Sequence, residues 1–345
     1  MAAGNSPPEP TVSAGMAKAL ADFAAARGAD SRQLLIKAEI APHDLADPDA
    51  RVPFAHYVAL MRAAKMLCND PALALEFGAD VDSRSYSIAS LIAHASPTMS
   101  AALAQINRYG RLVVDVEGLG DGPRFEIVME DGHRWMVDRR ADPNDFLELT
   151  ESSWSRFICW TRKLFPQATY ALTAEVTHAA PAHAAAYDRI WQVPVTFGAA
   201  RNAIQTTVTW GDLPVAPEGR YAFGVLTERA EALLEELEKA QTVRGRVESL
   251  LLPLLHTGDV SIEAIARMML TSRQTLYRSL KAEGVTFEQV LDALRHRLAL
   301  RYLAGRRVSV NETAYLVGFS DSSAFSRAFK RWTGRRPQTV LSEST

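Results

Sequence analysis

Residues 261–284, SIEAIARMMLTSRQTLYRSLKAEG, and residues 309–337, SVNETAYLVGFSDSSAFSRAFKRWTGRRP, are two writings of one pattern. Each opens on a serine, Ser261 or Ser309, that suits a helix N-cap, because its hydroxyl can accept from one of the backbone N–H groups a first turn leaves unbonded. Each continues through a short periodic segment with one small residue (Ala266, Ala314) and a tight turn (Thr271-Ser272; Gly318 to Asp321). A second segment follows, anchored by apolar residues four apart, Leu276/Leu280 and Phe325/Phe329. The spacing predicts two helix-turn-helix units. Where the two helices of a unit cross, only a small side chain fits, and the apolar pair holds the second helix from behind. Its opposite face is then free to carry polar groups into a major groove about 12 Å wide. Arg278 and Arg327 fall at the same place, two residues after the first anchor.

Between the copies, Phe287, Val290, Leu291, Leu294 and Leu298 mark a longer helix with an apolar stripe. Such a helix can hold the units apart so that they meet successive major-groove segments about one turn, ~34 Å, from each other. The charge distribution agrees. Residues 241–345 carry 16 Lys and Arg against 9 Asp and Glu, net +7, while the other 240 residues carry 22 against 31, net −9. A basic final third behind an acidic body points to a polyanion-binding module attached to something of another kind.

At 345 residues, 48% apolar and 23% charged, the chain has the make-up of a two-domain globular protein. Cys68 and Cys159 stand far apart, outside any CxxC or Cys/His cluster, so no disulfide framework or zinc site is expected and a reducing compartment fits. The small, Pro-rich start has no basic segment followed by an apolar one, and no stretch is apolar enough for a membrane span. The expectation is a cytoplasmic protein that uses no membrane, disordered over residues 1–11.

From Val12 to about Tyr109 the periodicity is helical: Ala17, Leu20, Ala21 and Ala24 share one face, Val58, Met61 and Ala64 another, and further helices run over Ile88 to His94 and from Thr98 through Ile106. The period then changes. Residues 112–116 and 124–129 alternate as strands around a glycine-rich segment, residues 118–122, which reads as a hairpin. A long helix from about Asp145 to Leu164, a strand near Tyr170 to Thr177, a helix near Ala182 to Trp191 and one or two strands between Val195 and Trp210 follow. The fold class expected is therefore α+β over residues 12–212, a helical lobe plus a small sheet with helices, followed by an all-α double helix-turn-helix over residues 242–341. Residues 213–241 form a linker and a connecting helix whose stripe, Leu226, Ala230, Leu233, Leu234 and Leu237, either packs on its own domain or makes a dimer.

Gly318 to Pro337, together with Ser272 to Gly284, resembles the DNA-binding motif of the AraC/XylS regulators over about a hundred residues. The resemblance implies base-facing positions at Gln274, Tyr277 and Arg278 in the first recognition helix and at Ser322, Ser323 and Arg327 in the second. It implies phosphate contacts from Ser272, Arg273, Thr275, Lys330, Arg331, Arg335 and Arg336. Ser322-Ser323-Ala324 is smaller than the family often has there, which implies fewer bases read by the second helix. The stretches 47–53, 70–78 and 194–198 are similar to the family's arabinose-binding-like sensor domain rather than to its strand-rich cupin barrel. RNA polymerase and a small-molecule effector are the partners this implies besides double-stranded DNA, with a homodimer as the assembly.

No catalytic set is visible. His178 and His183 lack metal-ligand spacing, and the glycines of residues 118–122 lack a phosphate-loop lysine. Asp138, Asp142 and Asp145, beside Arg139 and Arg140, read as a polar loop before a helix. No cofactor and no metal are expected. A largely apolar effector is expected between the long helix and the sheet, against Trp135, Trp154, Phe157 and Trp160. The function this supports is a sequence-specific, effector-controlled activator; the alternatives are a constitutive regulator that only dimerises through its N-terminal domain, and an enzyme or binding protein localised on DNA.

Overall fold

The computed structural model describes residues 9–116, 122–167, 170–216, 220–257, 260–304 and 308–339. The chain divides into two compact units between Leu234 and Glu235.

The first unit opens with β1 (Thr11–Ser13), α1 (Ala14–Ala26), α2 (Ser31–Ala38), β2 (Arg51–Pro53), α3 (Phe54–Leu67), α4 (Leu73–Asp80), α5 (Ile88–His94), α6 (Met99–Tyr109) and β3 (Val114–Asp115). Side-chain caps start many of these helices: Ser13, Asp30, Ser87 and Thr98 each accept from a first-turn N–H. The four residues read as one face of α1 are all buried. β1 is the central strand of a three-stranded antiparallel sheet with β2 and β3. Thr11 therefore belongs to the fold, and the disorder expected up to residue 11 is corrected there; residues 1–8 lie outside those described.

The second half of this unit is a five-stranded sheet of order β4-β5-β8-β6-β7, built from β4 (Phe125–Glu130), β5 (His133–Asp138), β6 (Ala171–Val176), β7 (Val195–Phe197) and β8 (Asn202–Thr206). α7 (Leu147–Leu164) and α8 (Ala184–Trp191) pack on it, and only the β6–β7 pair is parallel. The hairpin expectation is corrected. β3 pairs with β1, and β4 turns into β5 through Asp131-Gly132, whose φ values of 49° and 78° are those of a two-residue hairpin turn. Residues 118–121 lie outside those described. α4 and α7 cross so closely that a Cβ on Gly78 would stand 2.2 Å from the Ser152 carbonyl oxygen.

Asp138 is corrected as well. It ends β5 in a buried position, paired with Arg124 at 3.2 Å and Arg140 at 2.9 Å, so it is part of an internal ion pair rather than a polar loop. These two guanidinium groups hold its carboxyl below the usual range despite burial, which acts the other way.

The chain passes between units within α9 (Arg220–Gln241). In the first unit, α9 lays Phe223, Leu226, Ala230 and Leu234 on Ile88, Ala89 and Ile92 of α5 and on Tyr109 of α6. Glu231 of α9 accepts from Tyr109 Oη and pairs with Arg108 at 2.6 Å, and Arg229 pairs with Asp49 at 3.0 Å. Burial and that bond push the Tyr109 phenol up to about 12. Of the two readings of the α9 stripe, packing on its own domain holds for Leu226, Ala230 and Leu234.

The second unit is helical: α10 (Val243–Leu251), α11 (Ile262–Met268), α12 (Arg273–Ala282), α13 (Phe287–Ala304), α14 (Val310–Leu316) and α15 (Ser322–Thr333). Leu276, Leu280, Phe325 and Phe329 are at most 1% exposed, and Ala266 and Ala314 are 2% exposed, as close helix crossings require. α13 runs through the core with Phe287, Val290, Leu294 and Leu298 buried. Glu248 of α10 is buried and accepts from Arg244 at 3.1 Å and from Arg297 of α13 at 2.7 Å.

Candidate nucleic-acid interface and effector cavity

Both recognition helices start on a side-chain cap. Ser272 Oγ accepts from Thr275 N–H at 3.0 Å, and Asp321 Oδ1 accepts from Ala324 N–H at 2.7 Å. With the caps and apolar anchors fixed, the outward face of each helix follows. On α12, Gln274, Tyr277 and Arg278 are exposed on the side away from Leu276 and Leu280, Tyr277 at 51%. Ser272, Arg273 and Thr275 are exposed at its start, and Arg273 pairs with Glu263 of α11 at 3.0 Å. On α15, Ser323, Arg327, Lys330 and Arg331 are exposed, and Ser322 is half-buried. Arg331 pairs with Asp292 of α13 at 2.6 Å, and Arg335 and Arg336 are exposed past the helix end.

The copies are offset by 48 residues up to the turn and by 49 after it, because the second turn holds one residue more before its cap. By that count Gln274, Tyr277 and Arg278 correspond to Ser323, Ser326 and Arg327, while Ser322 corresponds to Arg273. Ser326, half-buried, thus stands at the place of Tyr277, a correspondence visible when the residues are counted from the caps rather than from the motif. Arg295 of α13 is half-buried, and its guanidinium donates to the carbonyls of Val317 and Gly318, each at 3.0 Å. It also lies 4.8 Å from the Phe319 ring centre, and burial lowers its pKa.

In the first unit a cavity of about 180 Å³ opens between α5, α6 and α7. Trp154, Phe157 and Trp160 line it from α7, Ala89, Ala93 and His94 from α5, and Leu103 and Ile106 from α6. Its place is corrected: it lies toward the helical lobe, and Phe125 of β4 and Val114 of β3 are the strand residues that reach it. Trp135 is not in it. Trp135 sits opposite Val128 and Gln205, on the other side of the sheet from Met136, with Arg201 4.8 Å from its ring centre. Alternation along β5 places it there; residue type alone could not. His94 donates through Nδ1 to the Ser90 carbonyl at 2.7 Å and lies against Trp160 with ring centres 4.4 Å apart and planes tilted by 41°. Its pKa is lowered, first by burial.

His178 and His183, five apart in sequence, meet on the opposite flank of α7. Glu151, fully buried, takes His183 Nε2 at 2.6 Å and Tyr187 Oη at 2.7 Å, and Tyr187 Oη lies 3.1 Å from His178 Nε2. Burial and the Glu151 carboxylate together push the Tyr187 phenol far up. The network ties α7 to α8, as does Trp191 Nε1 donating to Ser155 Oγ at 2.7 Å. Among the described residues no helix is long and apolar enough to cross a membrane.

Comparison with known proteins accounts for both units. The family described as "Arabinose-binding domain of AraC transcription regulator, N-term" matches residues 28–215, and a family described as "Helix-turn-helix domain" matches residues 265–343. The "Ornithine utilization regulator" of Pseudomonas aeruginosa is 29% identical over 324 residues, covering 93% of each chain. The regulator VirS of Mycobacterium tuberculosis is 38% identical over 97 residues, 28% of each chain. The transcriptional activator RhaS of Escherichia coli O139:H28 is 38% identical over 119 residues, 34% of this chain and 42% of its own. An α+β domain followed by an all-α double helix-turn-helix, matched in this order, makes the chain a member of the AraC family of DNA-binding transcription regulators.

Proposed function

We propose that this regulator is an effector-controlled activator, with its effector in the cavity between α5, α6 and α7. The observation that carries this is shared contact. Ala89 of α5 both lines the cavity and belongs to the buried cluster that includes Ala230 of α9, and α9 is the helix in which the chain leaves the sensor unit. An occupant that binds one arrangement of α5 and α6 better than another therefore biases how α9 is held. On this reading residues 12–212 sense, residues 213–241 connect and residues 242–341 bind DNA.

Gln274, Tyr277, Arg278, Ser323 and Arg327 would then face bases, with Ser326 added and Ser322 moved to the helix start. Arginine suits guanine O6 and N7, and glutamine suits adenine. Ser272, Arg273, Thr275, Lys330, Arg331, Arg335 and Arg336 would face phosphates, setting affinity rather than sequence. Activation rests on the likeness to RhaS and brings RNA polymerase as a partner. The protein would work as a cytoplasmic homodimer through the uncovered side of α9, where Tyr221 and Val225, 87% and 53% exposed, stand one turn apart.

The test is selection from a random duplex pool at two salt concentrations, followed by transcription in vitro from the selected site. Two enriched blocks about one helical turn, ~34 Å, apart are expected. Arg278→Ala should lose one block and Arg327→Ala the other, each at about 1–3 kcal/mol of discrimination. Binding that falls steeply with salt and enriches nothing would refute base reading. A transcription output unmoved by Ala93→Trp, which fills the cavity, and by every compound that raises the melting temperature would make the regulator constitutive.

A further inference from the structure

The cavity has a charge imbalance. Its described lining holds Arg111, Arg124, Arg156 and His94 but no aspartate or glutamate. Arg111 is paired with Asp115 at 3.0 Å and Arg124 with Asp138 at 3.2 Å, so two of the three guanidinium groups are neutralised. Arg156 is different. Its Nε and one Nη are buried without a hydrogen-bond partner. Its neighbours are ring faces, Tyr86 at 5.9 Å and Phe77 at 6.0 Å from Cζ, the outer limit of cation–π attraction. A second cavity on its other side holds Asp80 and Asp82, but these are paired with Arg27 at 3.1 Å and Arg84 at 2.5 Å.

Three more buried polar atoms around the same space have no partner: Tyr86 Oη, Trp154 Nε1 and Trp160 Nε1. All can donate. Unsatisfied buried donors are rare in a finished fold, so four such side chains lining one cavity, one of them a half-buried guanidinium without an ion pair, point to an acceptor supplied from outside. A ligand bearing an ammonium finds no carboxylate here, and a sugar finds few acceptors for its hydroxyls. Apart from Ser83, Ser90, Asn107, which is bonded to the Phe125 backbone, and Ser153, which accepts from Arg124, the remaining wall is largely apolar.

We propose that the cavity binds a small monocarboxylate with an apolar body, the carboxylate on Arg156 and Tyr86 and the body among α5, α6 and the α7 aromatics. The volume of about 180 Å³ is a little more than the about 150 Å³ that takes benzene, which suits one ring or a chain of about six to eight carbons. This rests on reading the cavity as the effector site.

The test is isothermal titration calorimetry of the full chain with octanoate and 3-phenylpropanoate, beside 1-octanol and 3-phenylpropan-1-ol as uncharged counterparts. The acids should bind at least about tenfold tighter than the alcohols. Arg156→Gln should weaken the acids by roughly tenfold to a hundredfold and leave the alcohols alone, with Arg156→Lys in between. In the absence of ligand, Arg156→Gln should leave the melting temperature unchanged or raise it, since it removes a half-buried charge that has no ion pair; an arginine kept for folding would lower it. Alcohols that bind as well as acids, untouched by Arg156→Gln, would overturn the anion assignment while leaving the cavity as the effector site. Acid binding that survives Ala93→Trp would place the acid elsewhere and overturn it too. Binding of neither class would also overturn it, and the effector reading would then stand or fall on whether Ala93→Trp alters transcription.

Discussion

The two helix-turn-helix units share a backbone and differ in what holds it. Each leaves its first helix through a residue in the left-handed region, Leu270 at φ 53° and Gly318 at φ 78°. The same pair of bonds closes each turn: Leu270 N–H to the Arg267 carbonyl and Thr271 N–H to that of Ala266, then Gly318 N–H to Tyr315 and Phe319 N–H to Ala314. Leu270 points into solvent, 96% exposed. A Cβ on Gly318 would instead stand 2.4 Å from the Leu255 carbonyl oxygen, and Arg295 grips the same turn through two carbonyls. Glycine is thus demanded by a neighbour in the second unit, whereas the first tolerates leucine at a modest conformational cost. The outward faces differ in the opposite sense. The open first unit presents Gln274, Tyr277 and Arg278, and the gripped second unit presents Ser323 and Arg327 with Ser326 half-buried between them. On the proposed interface, the unit with more reading capacity sits on the less constrained turn.

The largest effect that would break this comparison is expected from Gly318→Ala. It combines a left-handed alanine with a contact to fixed backbone, together about 2–4 kcal/mol. Hydrogen exchange on the full chain should show α14 and α15 losing protection while α12 keeps its own. Unchanged protection in α14 would mean the approach to Leu255 is not as close as described. Leu270→Gly goes the other way and is smaller. It removes left-handed strain of about 1–2 kcal/mol, partly offset by the freedom glycine adds to the unfolded chain, for a net gain of up to about 1 kcal/mol. Urea unfolding reads it, and a loss of stability would show that Leu270 makes contacts its exposure conceals.

The repeat was legible because it is written in local chemistry. Ser261, Ser272, Ser309 and Asp321 all cap as their types suggest, and the anchors Leu276, Leu280, Phe325 and Phe329 all bury. What failed was long-range. β3 pairs with β1 across a hundred residues of chain, and nothing in its own residues names that partner. Asp131-Gly132 carries the strongest short hairpin signal in the region, yet the glycines of residues 118–122 drew the turn away from it. Trp154, Phe157 and Trp160 could be grouped because they share one flank of α7, but Trp135 could be separated from them only through the pleat and pairing of β5. Arg156 was invisible for the same reason: its significance is the absence of a partner, which depends on every chain segment around it.

The finest difference between the units is a titratable one. Ser309 and Glu312 form a reciprocal cap, Ser309 Oγ accepting from Glu312 N–H at 3.2 Å and Glu312 Oε2 accepting from Ser309 N–H at 2.6 Å. The equivalent of Glu312 in the first unit is Ala264, so Ser261 caps α11 alone. Accepting the Ser309 backbone N–H, with help from its side chain, holds the Glu312 carboxyl below its ordinary value of 4.5. A folded value below the unfolded one means a contribution present above pH 4.5 and lost as pH falls through the folded value. Acidification through that window should therefore loosen the start of α14 and, through this group, leave α11 unaffected. Because the carboxylate is exposed, the effect should be the smallest of the three. The Ser309 amide proton shift, followed by NMR from neutral pH downward, should titrate with a midpoint below 4.5, and Glu312→Gln should abolish the step while keeping the cap geometry. A midpoint at or above 4.5 would mean that the carboxylate is not bonded to Ser309 in solution, and the two units would then start their first helices alike.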